Sequence, residues 1–115
     1  MNIIVKLMNK INWNKIKNTE ILIDITNCLL IFKHSPRCII SRIVLERFEN
    51  DYKKGNLYLE LIMVDVISEK LISNKIAEIF KIRHESPQVI LIKNNKVILC
   101  ESHESITYKS IKDVL

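Results

Sequence analysis

The sequence predicts an α/β chain whose mixed four-stranded sheet carries helices on both faces, and three observations lead there. Two apolar runs of strand length, the continuous CLLIF (28–32) and LYLELIMVDV (57–66), apolar on both faces apart from Glu60, flank a stretch with helical period. Apolarity without alternation marks a strand covered on both faces, as in parallel sheets. A third apolar stretch, VILIK-NN-KVILC (89–100), folds back around an asparagine doublet, and Asn tolerates the positive φ of a tight two-residue turn.

Taken in order, Thr19 is a candidate N-cap for a first helix striped by Ile21, Leu22 and Ile25 and ending near Asn27. The apolar run 28–32 is the first strand. From Ile39 to Lys53 the period changes: Ile40, Val44, Phe48 and Tyr52 fall at i+4 steps, with Arg42, Glu46, Glu49 and Lys53 on the other faces. Glu49 and Lys53 form a favourable i,i+4 pair. Gly55, after Lys54, suits a left-handed helix cap. The run 57–66 is the second strand. Ile72, Ile76, Ile79 and Phe80 stripe the next helix, with Ser68 or Ser73 as its cap, and the hairpin follows the loop IRHESPQ. Ser102 can cap a last helix carrying Ile106, Ile111, Val114 and Leu115. The order is α-β-α-β-α-β-β-α. Strand–helix–strand gives a parallel pair with a right-handed crossover, and the hairpin adds antiparallel neighbours. This is the thioredoxin-like arrangement, although periodicity alone leaves other α/β sandwiches open.

The 115 residues make one domain, 1–115, with a real core. Hydrophobic residues at 48% and charged residues at 27% fit a globular chain. No apolar run approaches the ~18 residues of a membrane span, and the N-terminus lacks the pattern of a signal peptide, so the chain reads as cytoplasmic. The net charge of +5 is scattered, without like-charge blocks or interleaved aromatics, which argues against nucleic-acid binding. Three cysteines (28, 38, 100) and three histidines (34, 84, 103) fall in no metal-binding or disulfide pattern; neither a metal nor another cofactor is expected.

The chemistry concentrates in FKHSPRC (32–38). Cys38 stands between the first strand and the helix after it, at the helix's first turn. Unpaired N–H groups and the positive end of the helix dipole favour an anion there, and the thiolate is the nucleophilic form of cysteine. Arg37 and His34 can add positive charge, and Pro36 stiffens the turn. Cys28, inside an apolar strand, and Cys100, at the hairpin's end, read as structural. Ser86-Pro87 precedes a strand, where an X-Pro bond can be cis.

FKHSPRC, VDVISEKLISNKIAEIFKIRHESPQVILIKNNKVI and SHESIT together resemble the monothiol bacilliredoxin family of thioredoxin-like proteins, from about Trp13 to the C-terminus. The resemblance implies that Cys38 is the active-site cysteine and Pro87 its cis-proline. It also implies that the protein removes bacillithiol, or a similar low-molecular-weight thiol, from client proteins. His34, Arg37, Ser86 and Pro87 are the expected binding residues. Three positions depart from the family pattern: Ile39 stands where proline is common, Lys81 where glycine is expected, and Asn95 where the hairpin turn usually has glycine. Ser41, three after Cys38, replaces the usual resolving cysteine. His84 and Glu85 either contact a bound thiol or client peptide or fix the loop, His103 reads as a helix-start residue, and Trp13 reads as packing. The competing expectation is a non-catalytic thioredoxin-like binding or redox-sensing module. No exposed apolar stripe is expected on the helices.

Overall fold

The computed structural model describes residues 11–18 and 28–115. Four strands, β1 (Leu29–His34), β2 (Glu60–Asp65), β3 (Gln88–Lys93) and β4 (Lys96–Ser102), form a sheet in the order β2-β1-β3-β4. β1 is parallel to β2 and antiparallel to β3, and β3 pairs antiparallel with β4. Among the described residues the helices are α1 (Ile39–Lys54), α2 (Lys70–Phe80) and α3 (Tyr108–Asp113), with a 3-10 turn at His103–Ser105. The predicted first helix, Thr19 to Asn27, lies outside the described residues.

Strand alternation divides the core into two layers. Leu29, Ile31, Ile62, Val64, Ile90 and Ile92 face one side of the sheet and pack with Ile76 of α2. Leu30, Phe32, Leu61, Val89 and Leu91 face the other and pack with Val44 and Phe48 of α1 and Ile111 of α3. Phe48 is 1% exposed, a burial that contributes about 1.5–3 kcal/mol. Trp13 packs edge-on against Phe32 at 5.9 Å, and its Nε1–H donates to Glu49 at 2.9 Å, so its role here is packing with a satisfied polar edge.

Several local expectations are corrected. The second strand is Glu60–Asp65, shorter than 57–66, because only those residues pair with β1. The inward face of α1 begins at Ser41 and runs through Val44 and Phe48. Ile40, about 100° around the helix from Ser41, is 44% exposed, and Ile39 and Ile43 are 67% and 57% exposed. These isoleucines make an exposed apolar stripe where none was expected.

Gly55 is not left-handed: its φ is −88°. A Cβ there would collide with the phenol oxygen of Tyr108, so the glycine is required by close approach. The left-handed cap belongs to Lys81, at φ 54° and ψ 47° after α2. Neither Ser68 nor Ser73 caps α2; Glu69 holds that position without a side-chain cap bond. The chain is turned instead by Asp65, whose carboxylate accepts from the N–H groups of Ile67 (2.9 Å) and Ser68 (3.1 Å). Ser102 leads into the 3-10 turn without a cap bond, and the last helix is capped by Thr107, whose side chain accepts from Ser110 N–H. The Asn-Asn turn forms as predicted, with φ 51° at Asn94 and 64° at Asn95.

Candidate functional site

The last two residues of β1 point to opposite sides of the sheet. His34 continues the layer of Leu30 and Phe32, beneath α1, and its ring meets Phe32 edge-on at 6.3 Å. Lys33 continues the layer of Leu29 and Ile31, beneath α2, and is 0% exposed.

After β1 the chain makes one tight turn. The Cys38 N–H donates to the Ser35 carbonyl at 3.1 Å, closing a four-residue turn with Pro36 second, where its fixed φ is favoured. Cys38 is then the N-cap residue of α1, extended at φ −94° and ψ 123°, with no side-chain cap bond. Its carbonyl accepts the first helical bond from Arg42 N–H at 3.1 Å. The thiol is half-buried and free.

Ser41, fully buried, fastens this turn from inside the helix. Its Oγ accepts from Ser35 N–H at 3.0 Å and lies 2.7 Å from His34 Nδ1. With one lone pair taken by Ser35 N–H, the hydroxyl can either donate to Nδ1 or accept from it, so the contact is made in both tautomers of the ring. Burial pushes the His34 pKa down, and the negative charges of Asp65 and Glu49 offset only part of that. A neutral His34 fits the network and supplies no positive charge to the thiol. Arg37 is exposed, without a hydrogen bond or ion pair among the described residues.

The second part of the site arrives with β3. Lys33 pairs with Gln88 in the antiparallel register, so the turn leaving β1 and the loop entering β3 share one end of the sheet. That loop holds the Ser86–Pro87 bond, which is cis. The Pro87 carbonyl accepts from His103 N–H at 2.9 Å, which explains what His103, at φ 55°, does at the start of the 3-10 turn. The Ser86 hydroxyl is buried without a partner among the described residues. His34, Arg37, Cys38, Ser86 and Pro87 are therefore gathered at one sheet end.

The other cysteines lie elsewhere. Cys28 precedes β1, half-buried against the α1 layer, and burial raises its pKa despite Lys93. Cys100, exposed on β4, receives the Gln88 amide at 3.5 Å; burial of its sulfur raises its pKa, as does Glu85. Sequence reasoning passed over Lys33 and Gln88, and gave Ser73 only as a candidate helix cap. For Lys33 a signal existed, because period-two alternation from Leu29 and Ile31 assigns it to a covered face. No cluster of metal-ligating side chains occurs among the described residues, and no helix there is long and apolar enough to cross a membrane.

Comparison with known proteins decides the family. The profile of the monothiol bacilliredoxin BrxC family matches residues 6–111. The chain belongs to that family. Solved structures agree on the fold. A thioredoxin-fold protein described provisionally as an oxidoreductase superposes with a TM-score of 0.75 at 22% identity, covering 98% of each chain. Thioredoxin from Malassezia sympodialis gives a TM-score of 0.66 at 13% identity over 91% of this chain and 90% of its own. Oxidised thioredoxin from Plasmodium falciparum gives 0.63 at 13% identity over 90% and 94%. The mixed sheet and its flanking helices are thus a thioredoxin-like fold, as the residue pattern predicts.

Proposed function

We propose that this bacilliredoxin-family protein is a monothiol thiol–disulfide oxidoreductase, which removes bacillithiol or a similar low-molecular-weight thiol from protein mixed disulfides through Cys38. The carrying observation is the half-exposed Cys38 thiol at the N-cap of α1, on the sheet end shared with the cis Ser86–Pro87 loop. Exchange needs an accessible thiolate and a disulfide sulfur held in line with it.

The Cys38 thiolate attacks the small-thiol sulfur of the mixed disulfide. A new S–S bond forms to Cys38, the old one breaks, and the client leaves as its own thiolate, protonated by solvent. Attack by a second low-molecular-weight thiolate on the Cys38 adduct then returns the free thiolate and releases a symmetric small-molecule disulfide. No net electron is gained or lost by the protein over the two exchanges. Position 41 is serine, Cys28 lies at the other end of β1 and Cys100 lies within β4, so the second thiol comes from another molecule rather than from either of those cysteines. Arg37 is suited to a carboxylate of the small thiol, which its fork can accept bidentately. His34, with Nδ1 committed to Ser41, has Nε2 left to meet a ligand. The Ser86–Pro87 loop provides the wall against which the disulfide lies.

The exposed Ile39, Ile40 and Ile43 favour a second reading, a non-catalytic module whose apolar flank binds an extended segment. Intact-mass measurement after mixing with a protein carrying bacillithiol or glutathione as a mixed disulfide separates the two. The exchange reading expects one small-thiol adduct on wild type, none on Cys38→Ser, and one on Cys28→Ser and Cys100→Ser. Equal, slow labelling of all three cysteines refutes it.

A further inference from the structure

Opposite the thiol, on the α2 side of the sheet, lies a group the exchange chemistry does not touch. Lys33 Nζ donates to the Ser73 carbonyl at 3.0 Å and reaches His84 Nδ1 at 3.1 Å. An ammonium has only donors, so Nδ1 is the acceptor, and the imidazole is neutral with its proton on Nε2. The Ser73 hydroxyl lies 3.3 Å from the same Nδ1. One buried cation thus joins β1, α2 and the loop that runs into the cis Ser86–Pro87 bond two residues beyond His84.

We propose that Lys33 is a positioning residue for disulfide exchange, holding His84 and through it the Ser86–Pro87 loop at the sheet end that carries Cys38. The inference rests on the exchange reading above. A methionine would fill the same channel without the cost of a buried charge, so packing does not account for the ammonium. What the ammonium adds is a directed bond to one ring nitrogen. The rest of the loop is tied in the same way: the Gln88 amide donates to the Arg83 carbonyl at 3.1 Å, and His103 N–H holds the Pro87 carbonyl at 2.9 Å. The titratable groups facing the pair are Cys100 from β4, which interacts with Lys33, and Glu85 from the loop, which interacts with His84. Desolvation and the Lys33 charge both keep the His84 pKa low, with Glu85 pulling the other way.

The test compares wild type, Lys33→Met, His84→Leu and the double variant in three measurements. These are exchange with a protein mixed disulfide, alkylation of Cys38 by iodoacetamide, and NMR titration of the histidine rings. A loosened loop misplaces the disulfide but not the thiol. Lys33→Met should therefore slow exchange about ten- to a hundredfold while alkylation is unchanged. In that variant the His84 titration should move up toward the ordinary histidine value while that of His34 stays put. His84→Leu should slow exchange to the same degree, and adding Lys33→Met to it should change nothing further, the signature of two residues acting as one unit. Exchange at the wild-type rate in Lys33→Met, parallel loss of exchange and alkylation, or additive losses in the double variant would each overturn the inference while leaving exchange by Cys38 intact. A wild-type protein inert toward the mixed disulfide would instead remove the exchange reading on which the inference stands.

Discussion

Replacing Lys33 with methionine should make the protein more stable at neutral pH, and the structure supplies the size of the gain. The Lys33 side chain is 0% exposed, and desolvation lowers its pKa from 10.5 to about 8, with Cys100 pulling slightly the other way. At pH 7 the amine is still protonated in both folded and unfolded chains, so the fold bears the whole cost of the buried charge. That drop from 10.5 to about 8 corresponds to roughly 3 kcal/mol at about 1.4 kcal/mol per pKa unit. Methionine removes the charge and leaves few orphans, because the Ser73 hydroxyl remains 3.3 Å from His84 Nδ1 and the Ser73 carbonyl lies inside a helix. A net gain of about 2–3 kcal/mol follows, or about 1–2 M in the urea midpoint. The sign with pH is fixed. The folded pKa lies below the unfolded one, so between about pH 8 and 10.5 the unfolded chain holds more protons and wild-type stability rises relative to the variant. The gap should be widest below pH 8 and nearly closed at pH 10.5. Urea unfolding of both proteins under reducing conditions at several pH values measures it, and titrations common to both cancel in the difference. A variant no more stable at pH 7, or a gap that does not shrink with alkali, would refute the reasoning.

Four further substitutions are informative. Lys81→Gly relieves a left-handed residue at φ 54° and should raise stability by about 0.5–1 kcal/mol, read as a higher Tm. Gly55→Ala drives a methyl group into the Tyr108 hydroxyl and should cost about 1–3 kcal/mol in urea unfolding. Tyr108→Phe, which deletes a buried hydroxyl without a partner among the described residues, should recover part of that loss. Ser41→Ala strips the Ser35 N–H and His34 Nδ1 of their shared partner. It should cost about 1–3 kcal/mol and loosen the turn before Cys38, measured by denaturation and by faster amide exchange at Ser35.

The parts of the fold visible in the sequence are those set by neighbours along the chain. The apolar runs became β1 and β2 because both of their faces are covered, and the Asn-Asn doublet became the hairpin because its backbone demands left-handed residues. The misread positions depend on residues far away. Gly55 answers to Tyr108, more than fifty residues on. The α2 cap depends on Glu69, which also bonds Asp65 N–H at 2.9 Å and Lys15 at 2.8 Å. At the site, Cys38 and Pro87 were legible as a cysteine at a strand-to-helix turn and a proline before a strand. Lys33 was legible only as far as its facing: alternation puts it on a covered side of the sheet, but nothing in KHS says that a helix forty residues later will offer its ammonium a carbonyl.

The side-by-side placement of Lys33 and His34 makes β1 intolerant of length change. Deleting or inserting one residue within the strand would reverse the facing of everything beyond it. The ammonium would be driven against Phe48 and the imidazole into the chamber built for a cation, leaving Ser41 and His84 each facing the wrong chemistry. Point substitutions here can be tuned one at a time, but a single-residue indel would undo both sides of the sheet together.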